Sequence, residues 1–177
     1  MIKVLPGFKA MFTGNLVIDT ILVYLPAMVS NATPTFIRRG TPLDKGKIFI
    51  DGRRVLGDGK TIEGLIVGIY FGFIVSLSYT IVLGHYILAL QLLASSLGAL
   101  IGDIIGSFIK RRMGIPRGGR ALVLDQLDFY LGANALLLAS GFKINIWIFL
   151  VGAIIVLVLH IITNRVAYML GLKNVPW

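Results

Sequence analysis

Five apolar stretches divide the chain, at residues 14–36, 61–83, 86–109, 121–142 and 144–164, with polar segments at 37–60 and 110–120 and two very short turns between the others. Each is close to the roughly 20 residues an α-helix needs to cross about 30 Å of hydrocarbon. The period-two alternation of a membrane barrel is absent. Helices satisfy their own backbone hydrogen bonds in lipid. The pattern therefore predicts an all-α integral membrane protein, five transmembrane helices forming a single membrane domain over residues 1–177. The first stretch contains Pro26 and Pro34 and does not end in a small-residue cleavage site, so it is expected to be retained.

Composition agrees: hydrophobic residues make up 56% of 177 and charged ones 14%, against about 25% charged in soluble domains, and the mean hydropathy is +0.88. Most of the net charge of +9 lies in the two polar segments, which hold Arg38, Arg39, Lys45, Lys47, Arg53, Arg54 and Lys60, then Lys110, Arg111, Arg112, Arg117 and Arg120. Basic loops stay in the cytoplasm. With an odd number of spans, the N-terminus is expected outside and the C-terminus, with Arg165 and Lys173, inside. Lys3, Lys9, Arg38, Arg39 and Lys173 read as topology determinants touching anionic headgroups, and nucleic acid is not an expected partner. No cysteine is present, which excludes disulfides and thiolate sites. His85, in an outer turn, and His160, near a helix end, are isolated and read as structural, with no zinc site.

Charge inside the apolar pattern is the informative exception, because an ionised group at the bilayer centre costs about 2.5–3.5 kcal/mol even on lenient scales. Asp103, Ser107, Lys110 and Arg111 fall along one face of the third stretch, followed by Arg112 and a Gly-rich basic loop, Pro116-Arg117-Gly118-Gly119-Arg120. Asp125 and Asp128, at i and i+3, share a face of the fourth. Carboxylates bind metal and basic side chains bind phosphate, so the cluster points to a metal-phosphate substrate at the membrane surface; salt bridges between Asp125, Asp128 and the loop arginines are the structural alternative. Glycines recur every four residues, Gly64, Gly68 and Gly72 on the second stretch and Gly98, Gly102 and Gly106 on the third. Such stripes let helices approach closely and would place Asp103 and Ser107 near that approach.

In the first polar segment, Lys47 to Val55 reads as a small cytoplasmic hairpin with Asp51-Gly52 in a type I′ turn. Gly57-Asp58-Gly59-Lys60-Thr61 then opens the second span. It is not a P-loop, since Arg54 stands where that motif needs Gly. Two readings remain: a phosphate cradle at a helix N-terminus with Lys60 as point charge, or a simple helix start capped by Thr61 with Glu63 offsetting the dipole.

Ser107-Phe108-Ile109-Lys110-Arg111, a Gly-Gly loop and Asp125-Gln126-Leu127-Asp128 together resemble the signature of the CTP-dependent cytidylyltransferases that make CDP-diacylglycerol. The short chain, the Leu56 to Thr61 entry and Asp125-Gln-Leu-Asp-Phe129 look closer to the archaeal branch of that family, the CDP-archaeol synthases. The Lys-Asp pair that follows the S-x-x-K-R run in the bacterial members is missing, and Arg117 stands where they have His before Gly118-Gly119. Asp103 is a candidate for the missing carboxylate.

The resemblance implies transfer of a cytidylyl group from CTP to 2,3-bis-O-geranylgeranylglycerol 1-phosphate, releasing diphosphate, at a cell-membrane site facing the cytoplasm. It implies Mg²⁺ as cofactor, on Asp125 and Asp128 with Asp103 third, and Lys110 and Arg111 acting beside the two aspartates. Ser107, Arg112, Arg117, Gly118, Gly119 and Arg120, with Gly57, Asp58, Gly59, Lys60 and Thr61, are then expected to hold CTP and the prenylated glycerophosphate. A small transporter or channel subunit using Asp103 in an ion path is the alternative; a CDP-alcohol phosphotransferase is disfavoured because its aspartate pattern is absent.

Overall fold

The computed structural model describes residues 12–37, 39–119, 121 and 124–176; Lys3, Lys9, Arg38 and Arg120 lie outside them. Five helices follow one another: α1 (Leu16–Ala32, continued by a 3-10 turn, Thr33–Phe36), α2 (Ile62–Leu83), α3 (Tyr86–Arg112), α4 (Leu124–Ala139) and α5 (Ile146–Met169). No named strand occurs among the described residues. Side-chain caps start three of the helices, with Asn15 accepting from the Val17 and Ile18 amides, Thr61 from Gly64 and Asn145 from Trp147. Glycines at positive φ end or follow several, Gly84 after α2 and Gly141 shortly after α4.

α1, α2, α3 and α5 are long and apolar enough to cross a membrane. Their outward faces carry large apolar side chains such as Ile66, Phe73, Ile81, Ile101, Ile105 and Ile154. The described α4 stops at Ala139, short of the expected end at 142, because Gly141 at φ +83 turns the chain. At about 1.5 Å per residue, its 16 residues reach about 24 Å. α3 and α5 run further than expected, to Arg112 and Met169, so His160 lies well inside α5.

Pro26 sits inside α1 and cannot bond the carbonyl of Leu22. Tyr79 of α2 supplies the missing donor, its hydroxyl lying 2.6 Å from that carbonyl. Partners on a neighbouring helix are what make proline tolerable in lipid. Ser30 ties the same two helices to α3, its hydroxyl 3.0 Å from the Gly68 carbonyl and 3.3 Å from that of Ser96. Deeper in the bundle, Tyr24 donates to Asn134 (2.7 Å) and Tyr130 to the Phe149 carbonyl (2.5 Å), linking α1, α4 and α5.

The glycine stripes are where helices touch backbone to backbone. A Cβ at Gly98 would strike the Gly132 carbonyl, one at Gly102 the Asp128 carbonyl and one at Gly106 the Asp128 carboxylate. The α3 stripe is thus the seat of α4. On α2 the glycines instead make room mainly for side chains, Gly68 for Leu100 beside the Ser30 carbonyl and Gly72 for Ser96 and Ser30. Gly102→Val should lower stability by about 1–3 kcal/mol through overpacking against backbone that cannot give way. Thermal unfolding in detergent checks it, with Ile101→Val on the outer face expected to leave the midpoint unchanged.

Candidate functional site

The α1–α2 loop is organised around one carboxylate. Asp44 is buried and accepts from both Nε and Nη2 of Arg54 (3.2 and 2.7 Å) and from the amides of Gly46, Leu56 and Gly57 (3.1, 2.9 and 2.9 Å). The Arg54 guanidinium, helped by these amides, holds the Asp44 carboxyl well below the usual carboxylate range. Arg54 also pairs with Asp58 at 2.8 Å.

A reversal does form at Lys47–Val55, with an Ile48–Arg54 bridge and the Phe49 amide 2.7 Å from the Arg53 carbonyl. Its turn differs from the expected one. The Gly52 amide bonds the Phe49 carbonyl at 3.0 Å, leaving Ile50 and Asp51 at the centre outside the positive-φ region and Gly52 at φ +75 just after them. That is the turn-plus-bulge form of hairpin, in which glycine serves the bulge. Positive φ at both central positions, the mark of a type I′ turn, occurs instead at Lys45 (+46) and Gly46 (+82).

Arg112 fastens this loop to the end of α3. Its guanidinium lies 4.6 Å from the centre of the Phe49 ring and 4.9 Å from that of Phe108, pairs with Asp51 at 2.9 Å and donates to the Arg54 carbonyl. Arg53 returns the contact by donating to the Arg112 carbonyl at 2.6 Å. Arg112 is therefore committed to holding loop and helix together, an aromatic and hydrogen-bonded setting that suits a planar guanidinium.

This docking brings the Gly57–Thr61 turn beside α3. Lys60 bonds Asp103 of α3, and Lys110, at the last turn of α3, pairs with Asp125 of α4 at 2.5 Å. The second Asp125 oxygen accepts the Ala121 amide at 2.8 Å. Asp128 is buried against Gly106, one oxygen accepting the Phe129 amide at 2.6 Å, with Asp103, Lys60 and Lys110 all within electrostatic reach. Arg111 is half-buried with its Nε unpartnered and Gly57 beside its side chain. Arg117 reaches Gly59 from an exposed position, and Ser107 is buried.

Lys60, Asp103, Lys110, Arg111, Asp125 and Asp128 therefore meet at one end of the bundle, with Arg117 and the Gly118-Gly119 loop at its rim. Asp58 turns to Arg54 instead, the Gly57 amide is taken by Asp44, and Thr61 caps α2 while Glu63 accepts from Thr41. The three expected metal aspartates do not form a three-ligand cluster among the described residues, because Asp125 is drawn toward Lys110. An apolar cleft of about 150 Å³ between α2 and α3, lined by Phe73, Thr80 and Tyr86 among others, lies toward the opposite end.

Sequence reasoning missed three residues. Lys173 donates to Asn164, Asn164 contacts the His160 ring at 3.1 Å, and Lys173 lies within electrostatic reach of Lys60, Asp103, Asp125 and Lys110. The sequence places Lys173 at the headgroups and gives His160 a structural role; the contact with Asn164 adds to both, and Gly171, close after the last apolar run, is the signal that the chain turns back.

A family model described as CarS-like, CDP-archaeol synthase, matches residues 13–177. The CDP-archaeol synthase of Sulfurisphaera tokodaii is 52% identical over 161 residues, covering 91% of this chain and 96% of that protein. That of Aeropyrum pernix is 48% identical over 161 residues, covering 91% and 92%. Among solved structures, an intramembrane enzyme of archaeal membrane lipid biosynthesis superposes with a TM-score of 0.78 at 46% identity, covering 84% of this chain and 94% of that one.

Asp44 should make stability acid-sensitive in a defined window. Its carboxyl is depressed on folding, so its contribution is complete above the unfolded value of about 3.9 and lost as pH falls through the lower folded value. Melting temperature measured from pH 7 downward should be unaffected by Asp44 protonation until about pH 4. Asp44→Asn should melt several degrees lower at neutral pH, and the gap to the parent should narrow in acid.

Proposed function

The chain belongs to the CDP-archaeol synthase family, and from that premise we propose how its residues carry CTP-dependent cytidylyl transfer to an archaeal lipid phosphate within a multi-pass membrane protein. The reading is carried by one observation: Lys60, Asp103, Lys110, Asp125 and Asp128, from a loop and two helices, converge at one end of the bundle. The acceptor we propose is 2,3-bis-O-geranylgeranylglycerol 1-phosphate. α4 is proposed as the fifth crossing, with both basic loops and the site on the cytoplasmic side. The Lys60 pairing of Asp103 argues against an open ion path through that residue.

An oxygen of the lipid phosphate attacks the α-phosphorus of CTP. The new bond forms as the bond from that phosphorus to the β-phosphate bridging oxygen breaks, and diphosphate leaves. Both reactants are anions, so catalysis is charge neutralisation and in-line positioning, with no protein nucleophile. Lys110, Arg111 and Lys60 supply positive charge around the phosphates, and Arg117 with Gly118 and Gly119 closes the rim. Partial exclusion of water strengthens each of these contacts.

Mg²⁺ suits the donor set. Asp103 and Asp128 are mutually repelling oxygen donors, and Mg²⁺ is commonly held by one or two carboxylates with substrate phosphates completing its shell. Asp128 and Asp103 would hold it, Asp125 standing at the rim through Lys110. When bound, it neutralises charge on the attacking and leaving oxygens.

Purified protein in detergent should release diphosphate only when CTP, Mg²⁺ and the geranylgeranyl ether phosphate are all present, with ATP giving little. Release without lipid, or none at all in folded protein, would overturn the reading. Asp128→Asn should abolish turnover with the melting temperature kept. Lys60→Ala removes a charge-assisted contact worth about 1.5–3 kcal/mol, so it should raise the apparent KM for CTP about tenfold or more.

A further inference from the structure

Gly171 follows α5 at φ +66, and the amides of Leu172 and Lys173 both bond back to the Ala167 carbonyl, at 2.8 and 3.2 Å. This left-handed stop reverses the chain. Lys173 consequently folds back along α5 and donates to Oδ1 of the buried Asn164, whose amide nitrogen lies 3.1 Å from the His160 ring. Val175, two residues on, lies over Gly118 of the α3–α4 loop. The segment after α5 is thus laid across the charged end.

A lysine at a membrane boundary ordinarily extends its ammonium to water. Here the ammonium turns inward, toward a site that already contains Lys60 and Lys110. Burial, and after it the Lys60 charge, pushes Lys173 below the usual lysine value. Asp103 and Asp125 act on it from a distance, yet each is already paired, with Lys60 and with Lys110. Among the described residues Lys173 has no carboxylate within ion-pair distance, and an amide oxygen is its hydrogen-bond acceptor. Of the three lysines at this end, Lys60 and Lys110 are each held by a carboxylate and Lys173 by a neutral amide, so Lys173 is the ammonium whose charge a phosphate can meet without breaking an ion pair.

We propose that Lys173 is a phosphate-binding residue of this site, its ammonium contacting a phosphate oxygen of the nucleotide or of the lipid substrate while Asn164 and His160 hold it in place. The proposal rests on the transferase reading of the site. Lys173 is then a substrate contact, Asn164 and His160 are positioning residues, and the segment after α5 is part of the enzyme's substrate-binding surface.

The test compares Lys173→Met, which keeps the stem and removes the charge, with Lys173→Arg and with Lys143→Met in the exposed turn before α5. Diphosphate release is measured with CTP varied at saturating lipid phosphate and then the converse. Binding of CTP alone is measured alongside. Loss of a charge-assisted contact should raise one KM about tenfold or more in Lys173→Met, with the melting temperature kept, Lys173→Arg largely restored and Lys143→Met unchanged. A shift in the CTP arm and in CTP binding places the ammonium on the nucleotide; a shift in the lipid arm alone places it on the lipid phosphate. Unchanged KM values for both substrates, including the case where activity falls only in step with melting temperature, overturn the proposal. If the parent protein itself lacks release dependent on CTP and lipid, the transferase reading has failed, and this proposal with it.

Discussion

The backbone-to-backbone seat of α4 on α3 is the contact on which the site depends. Gly98 and Gly102 of α3 let the Gly132 and Asp128 carbonyls of α4 rest directly on α3, and Gly106 leaves room for the Asp128 carboxylate. Only at that separation does Asp128 come within reach of Asp103, and Asp125 within reach of Lys110. Lipid supplies no hydrophobic drive between helices, so close packing must hold the pair together. The ion pair at its charged end and the carbonyl contacts along its length then reinforce one another.

Basic residues divide into two kinds of work. Arg53, Arg54 and Arg112 are consumed by structure: they knit the first loop to itself and to α3 through Asp44, Asp51 and main-chain carbonyls. Lys60, Lys110 and Arg111 face the aspartates. Side-chain chemistry explains most of the division, with Arg111 the exception: a planar guanidinium suits several fixed acceptors and aromatic neighbours, whereas an ammonium is a point charge that exchanges partners readily. Counting positive charge per loop registers both kinds alike.

Much of this was legible in the chain. Apolar length marked all five helices, four-residue glycine spacing marked the close approaches, and helical spacing placed Asp103 with Lys110 and Asp125 with Asp128 on common faces. What escaped was long-range. Gly52 follows an Asp and so read as a type I′ turn, but Phe49 and Arg53 set a register that needs glycine at the bulge. The pairing of Asp103 with Lys60 is invisible to local spacing, because the two residues lie 43 positions apart. Arg112 looked like a phosphate ligand because its ring partner Phe49 and its acid Asp51 are far away in sequence. Helix ends drifted by a few residues because glycine turns, more than hydropathy, decide where α4 and α5 stop.

The Asp44 cluster differs from the Lys60–Asp103 and Arg112–Asp51 contacts in being wholly local. Arg54, Gly46, Leu56 and Gly57 all lie within 13 residues of it. Local contacts form without the entropy cost of closing long loops. The Asp44 cluster therefore needs no partner from α3, and loss of the Arg112 contacts would undock the first loop from α3 while leaving the Asp44 carboxylate every bond it has.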